Sequence, residues 1–119
     1  MQYLLLIYGN ESQWTKQGNA DRDKVLKEYT EFTQSIAKSG HLKGANELDT
    51  TSKATTVRVR DGKRLVTDGP FAETKEQLGG YYLVEAKDLD EAIGMAARIP
   101  SARMGSIEVR PIIPHEMPS

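Results

Sequence analysis

Tyr3-Leu4-Leu5-Leu6-Ile7-Tyr8 is an unbroken apolar run, so both alternating sets of side chains, Tyr3/Leu5/Ile7 and Leu4/Leu6/Tyr8, are apolar. A strand of that kind gives neither face to water and must be covered on both sides. The run is too short to span a membrane or to serve as the core of a signal peptide, and no basic segment precedes it. It reads as a buried strand, and a cytoplasmic protein is expected. The rest of the chain has to supply two covers for it.

The first cover is helical. Val25, Leu26, Tyr29, Phe32 and Ile36 recur at spacings of three and four, which predicts an amphipathic helix over 21–39. Asp21 and Asp23 suit its positive end, and Gly40 suits a left-handed stop. Asp88-Leu89-Asp90-Glu91 has the form of a capping box, with Asp88 and Glu91 as the reciprocal pair. Leu89, Ala92, Ile93 and Ala96 follow as a narrow helical stripe, which Pro100 ends. Between the helices lie an extended segment at 41–48 and a polar connector from Asp49 to Lys53. Next come two alternating runs, 57–60 and 63–67, joined by Asp61-Gly62, and then a strand at 81–84 that is apolar on both faces. Asp-Gly between alternating runs signals a two-residue hairpin, because that turn needs positive φ at both central residues. Pairing Arg60 with Lys63 puts Val57, Val59 and Val66 on one face and Arg58, Leu65 and Thr67 on the other. A last strand at 106–112 carries Pro111, which suits an edge. The tail 114–119 is expected to fray.

The predicted fold is therefore α+β: a ferredoxin-like split β-α-β sandwich with two helices on one face of an antiparallel sheet. Two helices cover one face only. The second cover is expected to be another copy of the sheet, giving a sheet-to-sheet homodimer. The alternative is that the polar loop 9–20 folds back as a lid with Trp14.

Length makes the 119 residues one domain. With 16 basic against 17 acidic residues there is no global field for nucleic acid or an anionic membrane. Arg58, Arg60, Lys63 and Arg64 crowd the hairpin, but alternation divides them between its faces and no aromatic residue interleaves them, so neither nucleic-acid nor membrane partners are expected. No cysteine is present, which removes disulfides and thiolate chemistry. His41 and His115 are the only histidines and have no metal-ligand spacing. His41, just after a helix-stop glycine, suits a capping or surface role. Neither a metal nor a cofactor is expected.

The stretch 68–82 concentrates the chemistry. Asp68-Gly69-Pro70-Phe71 breaks the chain, Glu73, Lys75 and Glu76 crowd into less than one helical turn, and Gly79-Gly80 breaks it again before Tyr81-Tyr82. Loops on a rigid scaffold are where binding groups concentrate. Asp68 suits a cap for the turn 70–73 or a carboxylate aimed into a cleft. Lys75 suits an ion pair with Glu73 or Glu76, or an anionic ligand. Arg58, on the face assigned to the dimer cleft, would need a partner such as Asp68 or Glu73, so structural pairing and anion binding are both open to it. One tyrosine hydroxyl of 81–82 points to each face, so Tyr81 is a candidate to line the cleft.

From Val66-Thr67-Asp68-Gly69-Pro70-Phe71-Ala72-Glu73-Thr74-Lys75-Glu76-Gln77-Leu78-Gly79-Gly80-Tyr81-Tyr82 the chain resembles the DGPF family, grouped with the YciI-like domains of the dimeric α/β-barrel superfamily. The likeness extends from Tyr3-Leu4-Leu5-Leu6-Ile7 to Ile107-Glu108-Val109-Arg110-Pro111. It implies a ferredoxin-like domain and a face-to-face dimer. YciI-like relatives have been proposed to use a His–Asp pair, whose histidine lies in the first helix. The predicted helix 21–39 contains none, so only Asp68 can be carried over, as the acidic half. The resemblance also implies an association with sigma factors. Two functions follow. One is a small-molecule-binding dimer serving as an accessory or regulatory module, with Arg58, Lys75, Glu76 and Tyr81 as ligand-binding groups. The other is an enzyme acting on a small anionic or lactone-like substrate, with Asp68 or Glu73 as general base.

Overall fold

The structure, a computed structural model, describes residues 1–115. Strand β1 (Gln2–Gly9) lies inside an antiparallel sheet, between β5 (Gln77–Glu85) and β6 (Ser106–Pro111), with β2 (Leu42–Glu47) on the far side of β5. The order β2-β5-β1-β6, with helix α2 (Asn19–Lys38) and helix α3 (Leu89–Arg98) in the crossovers, is compatible with a ferredoxin-like sandwich. Pro111 sits at the end of β6, an edge strand, as its missing N–H requires.

Register decides which half of each apolar run meets the helices. Tyr3 opposes Val84, Leu5 opposes both Tyr82 and Val109, and Ile7 opposes Ile107. This set packs on Phe32 and Ile36 of α2 and on Ala92, Met95 and Ala96 of α3. Phe32 meets Tyr82 edge to face, with ring centroids 5.2 Å apart at 86°. The Tyr82 hydroxyl then pairs with Thr33 Oγ1 at 2.6 Å, and the Tyr29 hydroxyl with Ser101 Oγ at 2.5 Å. Burial raises the pKa of both phenols above the ordinary tyrosine value, and these hydrogen bonds offset part of the rise.

The stop at Gly40 takes the expected form. Its φ is +82°, its N–H reaches Ala37 O, and the His41 N–H reaches Ile36 O. Asp88 accepts from the Glu91 N–H at 2.9 Å, but the Glu91 carboxylate reaches one residue further back than a capping box predicts, to the Lys87 N–H at 3.1 Å. The buried stripe of α3 is Ala92, Met95 and Ala96. Leu89 and Ile93 are exposed, because the sheet meets the helix on its small-residue side.

Several expectations are corrected. The loop 9–20 contains a third helix, α1 (Glu11–Lys16), whose N-cap Asn10 accepts from the Ser12 and Gln13 N–H groups. Trp14 lies on α1 with the Arg22 guanidinium 5.3 Å from its ring centroid. Helix α2 begins at Asn19, two residues earlier than the acidic pair suggested. The hairpin, β3 (Thr55–Arg60) with β4 (Lys63–Asp68), has the predicted register and turn, with Asp61 and Gly62 at φ +52° and +74°. It does not join the main sheet, however. β2 and β5 pair directly with each other, so the hairpin that lies between them in the chain has to leave the sheet. It projects as an arm on which every residue of β4 is exposed. The radius of gyration, 16.6 Å, exceeds the roughly 13.5 Å of a compact chain of this length accordingly. Finally, β5 begins at Gln77 and takes in Gly79-Gly80. A Cβ at Gly80 would stand 2.9 Å from Asn46 O, so this glycine serves the close approach of β2 and not of a ligand.

The other face of the sheet carries Leu4 against Leu83, Leu6 against Tyr81 and Tyr8 against Leu78. All six are half-buried, and no helix described here covers them. No helix among the described residues is long and apolar enough to cross a membrane.

Candidate functional site

A pocket of about 540 Å³ opens where this uncovered face meets the foot of the arm. Tyr8 and Leu78 form its floor from β1 and β5. One wall is the connector before β3, with Leu48, Thr51 and Lys53. The opposite wall is the Asp-Gly-Pro-Phe loop, with Pro70, Phe71 and Thr74. The lining is mostly apolar, dotted with threonine hydroxyls, the Gln77 amide, one ammonium group from Lys53 and one carboxylate from Asp49.

Both walls are pinned by polar side chains. The Glu11 carboxylate accepts from the Thr51 N–H at 2.8 Å and from Thr51 Oγ1 at 2.9 Å, holding the start of the 3-10 turn at Thr51–Lys53. Gln77 joins the other wall to α1. Its Oε1 accepts from the Glu11 N–H at 3.0 Å and its Nε2 donates to Thr74 O at 2.6 Å. Gly69 ties the loop to the arm: its N–H donates to Ala54 O at 2.7 Å, and its carbonyl accepts from Thr56 Oγ1 at 2.8 Å. Its φ of +96° is why a glycine stands there. Glu11 and Gln77 are the groups that sequence reasoning missed. Their partners lie 40 and 66 positions away, and no local pattern announces such a bond.

The residues singled out from the sequence sit around this pocket and are not gathered in it. Asp68 ends β4 opposite Thr55. It is exposed and caps no backbone N–H of the turn 70–73 among the described residues; Gly69 anchors the loop instead. Glu73 and Lys75 are exposed, and the segment 69–76 forms bends. Glu76 is half-buried and accepts from Ser106 Oγ at 2.8 Å. The Tyr81 hydroxyl accepts from Asn46 Nδ2 at 2.8 Å on the uncovered face. Arg58 is exposed on the arm, which forms a separate sheet. None of these charged groups forms an ion pair among the described residues.

His41 belongs elsewhere. Its Nε2 lies 3.1 Å from Glu91 Oε1 and its Nδ1 lies 2.6 Å from Ser39 Oγ, which links the end of α2 to the start of α3. The sequence suggested a capping or surface role, whereas the structure gives His41 a half-buried link between two helices.

Comparison with known proteins follows the same outline. A protein of Rhizobium meliloti (strain 1021) described as uncharacterized, R00369, is 37% identical over 124 residues, covering all of both chains. The match to the YCII-related domain runs over residues 1–116, and so takes in β1, the arm, the pocket walls and β6. The chain belongs to the YCII-related domain family.

Proposed function

We propose that this protein binds a small molecule in the pocket between the Asp-Gly-Pro-Phe loop and the connector before β3, as a homodimer whose uncovered sheet faces meet. The observation that carries the reading is a mostly apolar pocket of about 540 Å³ whose walls are held by Glu11, Gln77 and Gly69. That size falls in the range of small-molecule sites, roughly 300–1,000 Å³, and such sites combine apolar walls with a few placed polar groups. Lys53 is the cation of the lining, and Thr51 and Thr74 offer hydroxyls. The fitting ligand therefore has an apolar body and one anionic or carbonyl end. Such a binder would serve as an accessory or regulatory module.

Carboxylate catalysis has no observation of its own to favour it. Asp68 and Glu73 do not line the pocket, and the carboxylate that does, Asp49, accepts from the Thr50 N–H at 2.8 Å. The test is a thermal-shift screen with small carboxylic acids and lactones, run on the wild type and on Ala72→Trp, which fills the pocket. We expect one chemical class to raise the melting temperature of the wild type only. A shift that persists in Ala72→Trp, or no shift from either class, would remove the assignment.

A further inference from the structure

The arm and the pocket rim carry complementary surfaces that cannot meet within one chain. The arm has four cations, Arg58, Arg60, Lys63 and Arg64, against Asp61 and Asp68, which leaves twelve cations and fifteen acids for the remainder. None of the four is in an ion pair among the described residues. On its apolar face Val57, Val59 and Val66 are 58%, 62% and 59% exposed. A two-stranded hairpin is at best marginally stable alone in water, and contiguous exposed apolar patches mark interaction sites.

The pocket mouth shows the matching pattern. Phe71 is 78% exposed and Leu48 is 41% exposed. Asp49 lines the pocket beside them, again without an ion pair among the described residues. At about 3.3 Å per residue the arm's cations stand roughly 10–20 Å out from its foot, where its own pocket lies.

We propose that the arm closes the pocket of a second copy of this chain. In a two-fold dimer each arm lies across the other copy's pocket mouth. Its valine face, which by register also carries Arg64, covers Phe71 and Leu48 there, and Arg64 meets the rim carboxylate Asp49. One such contact implies its mirror, so both arms and both mouths are covered together. The binding site is then composite: its floor and walls come from one copy and its roof from the other. This rests on the dimer stated above and adds what closes the site.

Sedimentation velocity tests it on wild type, V59D, R64E, D49K and the combination R64E/D49K. Far-UV circular dichroism checks the fold, since the arm lies outside the helix-covered core. We expect a wild-type dimer at micromolar concentration and monomeric V59D. Each charge reversal should weaken the dimer about tenfold or more, and the combination should recover most of that loss, since like charges facing each other across an interface are costly. A monomeric wild type overturns both the dimer and the roof. A wild-type dimer indifferent to V59D and R64E leaves a dimer and overturns the roof alone. Losses that the combination does not recover overturn the pairing of arm with rim.

Discussion

The four-stranded sheet and the two-stranded arm are built from similar strands, yet they live in opposite surroundings. In β1 and β5 every apolar residue is at least half-buried, and the helix-facing set is almost wholly out of water. In β3 and β4 equally good strand formers, Val57, Val59, Leu65 and Val66, are mostly in solvent. Strand-forming character describes fit to a pleated surface and says nothing about what lies on that surface. The sheet gets its cover from α2 and α3. The arm has its turn and its ladder only, and its cohesion within one chain is local.

That contrast can be broken or sharpened by measurement. The largest effect belongs to the covered sheet. Phe32→Ala removes a side chain that is 4% exposed and touches Tyr82. We expect a loss of about 3–5 kcal/mol in global stability by chemical denaturation. A loss below 1 kcal/mol would mean that the helix layer is not what holds β1 and β5. Next comes the junction between the two regions. Gln77→Ala deletes hydrogen bonds to the Glu11 N–H and to Thr74 O. It should cost about 1–2 kcal/mol and speed amide exchange at the pocket walls more than in α3.

The arm should respond locally. Gly62→Ala places a side chain at φ +74° in the hairpin turn and should cost about 1 kcal/mol. Faster exchange of β3 and β4 amides should report it, with little change in the global unfolding midpoint of dilute protein. If the midpoint falls as far as for Phe32→Ala, arm and sheet are one cooperative unit and the contrast fails.

The last effect shows only at alkaline pH. Tyr29 and Tyr82 hold their protons above the ordinary tyrosine value of about 10 because burial penalises the phenolate. The folded chain therefore keeps protons that the unfolded chain has lost. Their contribution is complete below about pH 10 and fades as pH rises through the raised folded values. Phenolate absorbance should show two late-titrating tyrosines. Tyr82→Phe should remove one of them without touching stability trends at neutral pH.

Much of the fold was readable because its signals are local. The three-and-four spacing of Val25, Tyr29, Phe32 and Ile36, the stop at Gly40 and the Asp61-Gly62 turn each depend on neighbours within a few positions. The candidate site was harder. Asp68 through Glu76 marked a loop that forms one wall of the pocket, but the loop's charges are not what line it. Phe71, Thr74, Lys53 and the floor of Tyr8 and Leu78 line it. Gly79-Gly80 misled because a glycine placed for the approach of a neighbouring strand reads the same as one placed for a ligand.

By itself the sequence determined the α+β class, helices α2 and α3, the hairpin and its register, and the two-sided demand of Tyr3-Leu4-Leu5-Leu6-Ile7-Tyr8. These follow from side-chain period and backbone sterics, which act over a few residues. Only the tertiary structure decided that the hairpin leaves the sheet, that Glu11 and Gln77 hold the pocket walls, and that Leu4, Leu6 and Tyr8 share the uncovered face. Those outcomes depend on which distant strands become neighbours. Direct pairing of β2 with β5 excludes the hairpin from the sheet, and no window of adjacent residues contains that fact.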